Sequence, residues 1–261
     1  MCMRTIAAWI VGAMLLSPSL GQAQEIRVAA AADLQFALRD VATRFEKESG
    51  KKIALIFGSS GNFFAQIQNG APFDVFFSAN IDYPRKLEAA GLIEPGAYYE
   101  YATGKLVLWV PSASHLDIRP GLSVLTNPAI RKIAIANPEH APYGQAAVAA
   151  LRKENLYDKV SDKLVLGENI SQTASFVLSG AADAGIVALS LALGPNMKDK
   201  GRFVDVPPAD YPPIQQACVV LKSSQERATA KAFLEFLRRE NIKELLRSYG
   251  FTVPGDSLSA P

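Results

Sequence analysis

The chain has 261 residues, 49% of them hydrophobic and 20% charged, which supplies one large core or two modest ones and excludes a disordered chain. A formal net charge of only +2 provides no basic field for nucleic acid. Two cysteines, Cys2 and Cys218, exclude a fold stapled by disulfides, because Cys2 falls in the leader read below.

In chain order the first element is a leader. One positive charge in Met1 to Arg4 precedes the apolar run IAAWIVGAMLL, and SPSLGQA then ends in small residues. This reads as a secretory signal peptide over residues 1–23, cut after Ala23 with Gly21 at the −3 position. The apolar run is too short for a comfortable membrane span. No cysteine follows it at a lipoprotein-like position, so the mature chain is expected to be free, soluble and extracytoplasmic, with a bacterial periplasm fitting best. Cys218, in the apolar ACVVL, is expected to be a buried small hydrophobe.

The mature chain alternates strand and helix signals. EIRVAAAA reads as a buried strand and DLQFALRDVATRFEKESG as an amphipathic helix, with Asp33 as N-cap and Gly50 as stop. KKIALIFG is a strand, SGNFFAQIQNG a short helix, PFDVFFSA a strand and DYPRKLEAAGLI a helix. The pattern restarts with GKLVLWV, a turn or short helix at VLTNPAI, and the strand RKIAIAN. Then come helix YGQAAVAALRKENLYDKV, strand KLVLGEN, helix SQTASFVLSGAA and strand DAGIVALS. QQACVVL is the last strand, and QERATAKAFLEFLRREN with KELLRSYG closes the chain as helix. Such alternation predicts βαβ units and mainly parallel sheets. No internal repeat interrupts it.

Parallel sheets bind ligands at the carboxyl ends of their strands. Four strand-to-helix corners therefore stand out: Ala32-Asp33, Gly58-Ser59-Ser60-Gly61, Ala141-Pro142-Tyr143-Gly144 and Asn169-Ile170-Ser171. Ser at such a corner serves as a helix cap, and the same N–H groups hold anions. If the chain forms two lobes, four helix starts could converge on one cleft and hold a compact anion with neutral donors.

With these corners the chain resembles the periplasmic molybdate-binding proteins that serve ABC transporters. The resemblance rests on IRVAAAADL, FGSSGNFFAQIQNGAPFDVFFSAN, GKLVLWV, IAIANPEHAPYGQAA, GENISQ, GIVALS and RSYGFTVP, from Ile26 to Pro254. It implies an α/β, two-lobed type II periplasmic-binding-protein fold, each lobe a mainly parallel sheet flanked by helices. One lobe would take residues 24–103 plus 207–261 and the other 104–206, closing about two crossing strands. The resemblance also implies capture of molybdate or tungstate for an ABC permease, with no catalysis, no cofactor and a monomeric chain. By position, Ala32 and Asp33 would contribute from the first corner and Ser60 its hydroxyl and N–H from the second, with Ser59 and Gly61 shaping the loop. Tyr143 would reach the anion with its hydroxyl, and Ile170 with its N–H. In another subtype the aromatic hydroxyl comes from the position of Ala188, so this chain sides with the Tyr143 arrangement.

Asp33 departs from the family's usual Ser or Asn, and a carboxylate beside a dianion is repulsive. It could turn away to cap its helix, which is the preferred reading, or bind as the neutral acid. Alternatively the ligand is a protonated oxyanion such as phosphate, or a metal or metal chelate. Rival functions have less behind them. A hydrolase would need a G-x-S-x-G elbow, which GSSG lacks, and the two histidines, His115 and His140, suggest no acid–His pair by spacing. Asp33, Asp74, Glu139 and His140 could form an oxygen-rich metal site, but follow no metal motif. No Gly-Lys-Ser/Thr makes a P-loop. Phe63-Phe64 and Phe76-Phe77 read as core, and Tyr83, Tyr98, Tyr99 and Tyr101 as lobe surface or hinge. The charged C-terminal helix reads as an outer face that could contact a permease.

Overall fold

The computed structural model describes residues 25–256, so the expected signal peptide lies outside the described residues. The chain opens with β1 (Glu25–Ala31), a 3-10 turn (Ala32–Leu34), α1 (Ala37–Ser49), β2 (Lys52–Gly58) and α2 (Ser60–Gln68). It continues through β3 (Val75–Ser78), α3 (Asp82–Ala89) and the long β4 (Ile93–Gly104). A second set follows: β5 (Leu106–Pro111), β6 (Ile133–Ala136), α4 (Pro142–Lys153), α5 (Tyr157–Val160) and β7 (Leu164–Gly167). After α6 (Ile170–Leu178), β8 (Ala184–Ala188), α7 (Leu189–Ala192) and β9 (Gly201–Asp205), the chain returns as β10 (Ile214–Leu221), α8 (Arg227–Leu237) and α9 (Glu240–Ser248).

These strands build two five-stranded sheets, ordered β2-β1-β3-β10-β4 and β7-β6-β8-β5-β9. The two-lobed α/β architecture is as expected, but the sheets are mixed rather than mainly parallel. β2-β1-β3 and β7-β6-β8 are parallel, whereas β10 opposes both β3 and β4, and β5 opposes both β8 and β9. The reason lies in the crossings. The parallel strands end at the interface between lobes. β5 and β10 enter their sheets from that interface, so each must run against the strands it joins.

Two strands fall outside the expected set. β4 contains Pro95-Gly96, a turn signal, with Gly96 at φ +72°, and β9 is a half-exposed edge lacking an apolar run. The expected terminal helix is also split, because Arg239 takes an extended backbone between α8 and α9.

The crossings lie side by side, though only the first passes directly from strand to strand. Leu106 receives Val206 N–H on its carbonyl at 3.0 Å and gives its own N–H to the Tyr211 hydroxyl at 3.1 Å. The return crossing includes a 3-10 turn at Pro208–Asp210 instead of a strand.

Apolar clusters cover both faces of the first sheet. On one face α1, α8 and α9 bury Leu38, Phe45, Phe233 and Ile242, with Phe45 and Phe233 edge-on at 5.1 Å. On the other, α2 and α3 bury Phe63, Phe76 and Leu87. Each such side chain contributes about 1.5–3 kcal/mol by leaving water. Thus Phe63, Phe76 and Phe77 are core residues, and half-buried Phe64 packs on Tyr83. The second lobe closes around Trp109, Leu122, Ile135, Leu151 and Ile186. Gly50 ends α1 at φ +69° and gives its N–H to Glu46.

Cys218 is fully buried in β10, and burial pushes its thiol pKa well up. It should therefore label with a thiol reagent only as fast as the protein unfolds. Labelling of the native protein at the rate seen in denaturant would contradict this packing.

Candidate functional site

The carboxyl ends of β1, β2 and β7 and the loop after β6 meet where the two lobes face each other. At the second corner Ser59 is extended, at φ −84° and ψ 144°, and caps α2 by accepting the Asn62 N–H at 3.4 Å. Asn169 caps α6 more completely, its side-chain oxygen accepting the N–H groups of Ser171 and Gln172 at 3.0 Å each. Helix α4 starts with Pro142 at its first turn, where the missing N–H costs nothing. Three helix N-termini, each with first-turn N–H groups and a partial positive charge, thus open on one space.

That space is a small cavity of about 10 Å³, room for about one water. Ala32, Asp33, Ser59, Ser60, Tyr143 and Ile170 all line it, so the fold brings the six expected residues together. No Lys or Arg is in the lining. Ser60 is fully buried, and its hydroxyl oxygen accepts the Ala79 N–H at 3.0 Å, leaving the hydroxyl hydrogen to donate elsewhere.

Asp33 does not cap its helix, which corrects the preferred sequence reading. The 3-10 turn begins without any side-chain cap. Instead, Asp33 Oδ2 accepts the Tyr143 hydroxyl at 2.9 Å and Gln216 Nε2 at 2.7 Å, while its backbone carbonyl accepts the Ser190 hydroxyl at 2.8 Å. A cap would supply a single N–H; this pocket supplies two side-chain donors. The carboxyl is 1% exposed, and its other oxygen, Oδ1, is buried with no hydrogen-bond partner. Burial raises its pKa from 3.8 to about 6, opposed by the hydrogen bonds from Gln216 and Tyr143 and, less strongly, by the backbone N–H groups of Asp33 and Leu34.

Tyr143 therefore gives its one hydroxyl proton to Asp33 in this structure, although it lines the cavity as expected. Gln216 holds the group together. Its Nε2 also lies 3.1 Å from the Tyr143 oxygen, and its Oε1 accepts the Tyr101 hydroxyl at 2.6 Å. Burial first, then the nearby Asp33 charge, keeps both tyrosines well above their usual pKa. Sequence reasoning missed Gln216 and Ser190, and placed the fully buried Tyr101 on the surface or hinge. A glutamine inside the buried run QQACVVL was the available signal for the first.

The lobes touch across the site. Gly61 N–H donates to the His140 carbonyl at 2.9 Å, and His140 Nδ1 lies 3.0 Å from the Ser59 hydroxyl. Asn62 donates to Glu168 Oε1 at 2.5 Å, and Ser171 bonds Gln35. Ser59, His140 and Glu168 thus form a Ser–His–acid series. Yet the His140–Glu168 contact is 3.7 Å long, Glu168 is exposed and shared with Asn62, and Ser59 serves as a cap. The series joins the lobes.

The imagined metal set is dispersed. Asp74 sits at the far end of β3, accepting the Arg27 N–H at 2.7 Å and the Ser224 hydroxyl at 2.6 Å. Among the described residues no group of three or more His, Cys, Asp or Glu side chains could hold a metal ion. His115 is exposed on its loop.

Residues 26–252 match the family described as bacterial extracellular solute-binding protein. The molybdate-binding protein ModA of Azotobacter vinelandii is 39% identical over 241 residues, covering 92% of this chain and 94% of that one. ModA of Rhodobacter capsulatus is 38% identical over 229 residues, 88% of each chain. Among solved structures, the Azotobacter vinelandii periplasmic molybdate-binding protein superposes with a TM-score of 0.83 at 36% identity, covering 88% of this chain and 99% of that one. The sulfate-binding protein SubI from Mycobacterium tuberculosis shares the fold alone, with a TM-score of 0.74 at 16% identity over 89% of this chain and 88% of that one.

Proposed function

The chain belongs to the bacterial extracellular solute-binding proteins, and from that premise we propose that it captures molybdate, or tungstate, between its lobes in the periplasm for delivery to an ABC permease. The observation that carries the reading is the convergence of three helix N-termini and the Ser60 hydroxyl on one cavity between the lobes whose lining lacks Lys and Arg. Neutral donors held rigidly and shielded from water suit a compact tetrahedral dianion, because each hydrogen bond to charge strengthens as the local dielectric falls. Size would separate molybdate and tungstate from the smaller sulfate, since all three carry the same charge. No reaction and no cofactor are part of this reading; the anion is cargo, and closure of the lobes is what a permease would recognise.

The test is a thermal-shift panel on the mature chain with molybdate, tungstate, sulfate and phosphate. Ligand at about a hundred times its Kd stabilises by roughly 2.7 kcal/mol, so Tm should rise by roughly 5–10 °C with molybdate and tungstate. A response to sulfate or phosphate alone would refute the assignment. Ser60→Ala should weaken molybdate binding by about 1–3 kcal/mol, the scale of a hydrogen bond to a charged partner. Unchanged affinity would remove that corner from the site.

A further inference from the structure

We propose that capture of the anion is coupled to a proton: the closed complex holds one proton between Asp33 Oδ1 and an oxygen of the anion, taken from solution whenever the free carboxyl is ionised. This inference rests on the oxyanion reading above and specifies the charge state in which that site works.

The argument starts from an imbalance of partners. Asp33 lines the cavity, and its Oδ2 is already served by Tyr143 and Gln216. Oδ1 is equally buried and has no hydrogen-bond partner of its own, although the backbone N–H groups of Asp33 and Leu34 also favour the ionised carboxyl, less than Gln216 and Tyr143 do. A buried acceptor left unpaired is costly, and a charged one more so. The surrounding groups do not neutralise it. Tyr143 faces it from α4, Gln216 from β10, and Ser190 from α7 through the backbone carbonyl, while Tyr101 of β4 stands behind Gln216. Tyr211 adds a further hydroxyl near Tyr143. Those tyrosines are neutral, and among the described residues no cation acts on Asp33.

An ionised Asp33 would therefore meet a dianion with no cation to offset two like charges. One proton changes each term. It removes the carboxylate charge and lets Oδ1, an orphan acceptor, become a donor available to the ligand. Oδ2 can still accept from Gln216 and Tyr143. Burial has already brought this carboxyl to a pKa of about 6 before any anion is present, and an approaching dianion raises it further. The only bond change is a proton transfer: one O–H bond forms at the site as one breaks in hydronium or the buffer acid, and anion, ionised site and proton become a single complex. By linkage, affinity must then fall as pH rises above the free site's pKa.

Isothermal titration calorimetry of the mature chain with sodium molybdate tests this, from roughly pH 6 to 8.5 in paired buffers of different ionisation enthalpy. Near the upper end, Kd should rise by about tenfold per pH unit, with about one proton taken up per anion bound. Asp33→Asn keeps an acceptor for Tyr143 and Gln216 and offers an amide N–H to the anion, so its Kd should be flat with pH and its proton uptake lost. The wild-type buffer comparison stands even if that variant folds poorly. Binding by the wild type with no pH slope and no proton uptake would overturn the proton coupling and leave the oxyanion reading in place. A slope that persists in Asp33→Asn would also overturn it, by putting the proton elsewhere. Absence of molybdate binding at every pH in both proteins would overturn the ligand reading together with this inference.

Discussion

Gly61→Ala should weaken molybdate binding by about 5–150-fold without weakening the fold of the ligand-free protein. The affected space lies between the lobes. A Cβ at Gly61 would stand 2.7 Å from the His140 carbonyl oxygen and 2.9 Å from its Cα. Both are backbone atoms that cannot rotate away, and the Gly61 N–H donates to that same oxygen. Closing on the extra methyl would cost what overpacking commonly costs, about 1–3 kcal/mol, which converts to the stated range in Kd. Within its own lobe the substitution is mild. Gly61 is not among the positive-φ glycines and lies in the first turn of α2, where alanine is the better helix former. The ligand-free Tm should therefore hold or rise while affinity falls. Wild-type affinity in this variant would mean that the anion is held without the Gly61–His140 contact. A collapsed Tm would mean that the damage is to the first lobe itself.

What the sequence discloses about this site follows how local each interaction is. Ser59 and Asn169 cap helices through partners no more than three residues ahead, so the corners could be read from short strings. The alternation of apolar strands and amphipathic helices is equally local, and it yields the α/β class, whereas the two lobes were implied by the family resemblance. Strand direction in β5 and β10 is not local, because it depends on which end of each sheet the chain enters after crossing. Asp33 is the clearest case. Its residue type raised the right question, but the answer lies 110 residues away at Tyr143 and 183 residues away at Gln216. Nothing in the spacing of AADLQF or its neighbours encodes those partners, and a local cap was the natural inference. Tyr101 was misplaced for the same reason: its hydroxyl finds Gln216 only after β4 and β10 pair.

Gln216→Leu is expected to be the most destabilising single change in this network, and to be more so at high pH. The side chain is fully buried, so the substitution conserves packing roughly while deleting both ends of an amide. Asp33 Oδ2 loses the shorter of its two donors, and the buried Tyr101 hydroxyl loses its acceptor. Each unsatisfied buried group costs about 1–3 kcal/mol, more when charged, for a total of roughly 3–5 kcal/mol. In Tm that is roughly 6–20 °C for a chain of this size. The pH sign follows from Asp33, whose folded pKa of about 6 lies above its ordinary 3.8. The folded state therefore binds more protons than the unfolded one between these values, and the ionised group destabilises the fold progressively as pH rises through the folded pKa. Gln216 limits that cost by donating to the carboxylate, so removing it raises the folded pKa further. The variant's deficit against wild type should then be smaller at about pH 5, where Asp33 is protonated and mainly Tyr101 is left unsatisfied, than at about pH 8, where an ionised Asp33 has only Tyr143 as a side-chain donor. Gln216, Asp33 and Tyr101 belong to the same sheet and its adjoining turn, so their coupling does not require the lobes to close. Denaturant unfolding of both proteins at the two pH values would decide it. Equal deficits would separate Gln216 from the charge on Asp33 and reduce its role to holding Tyr101.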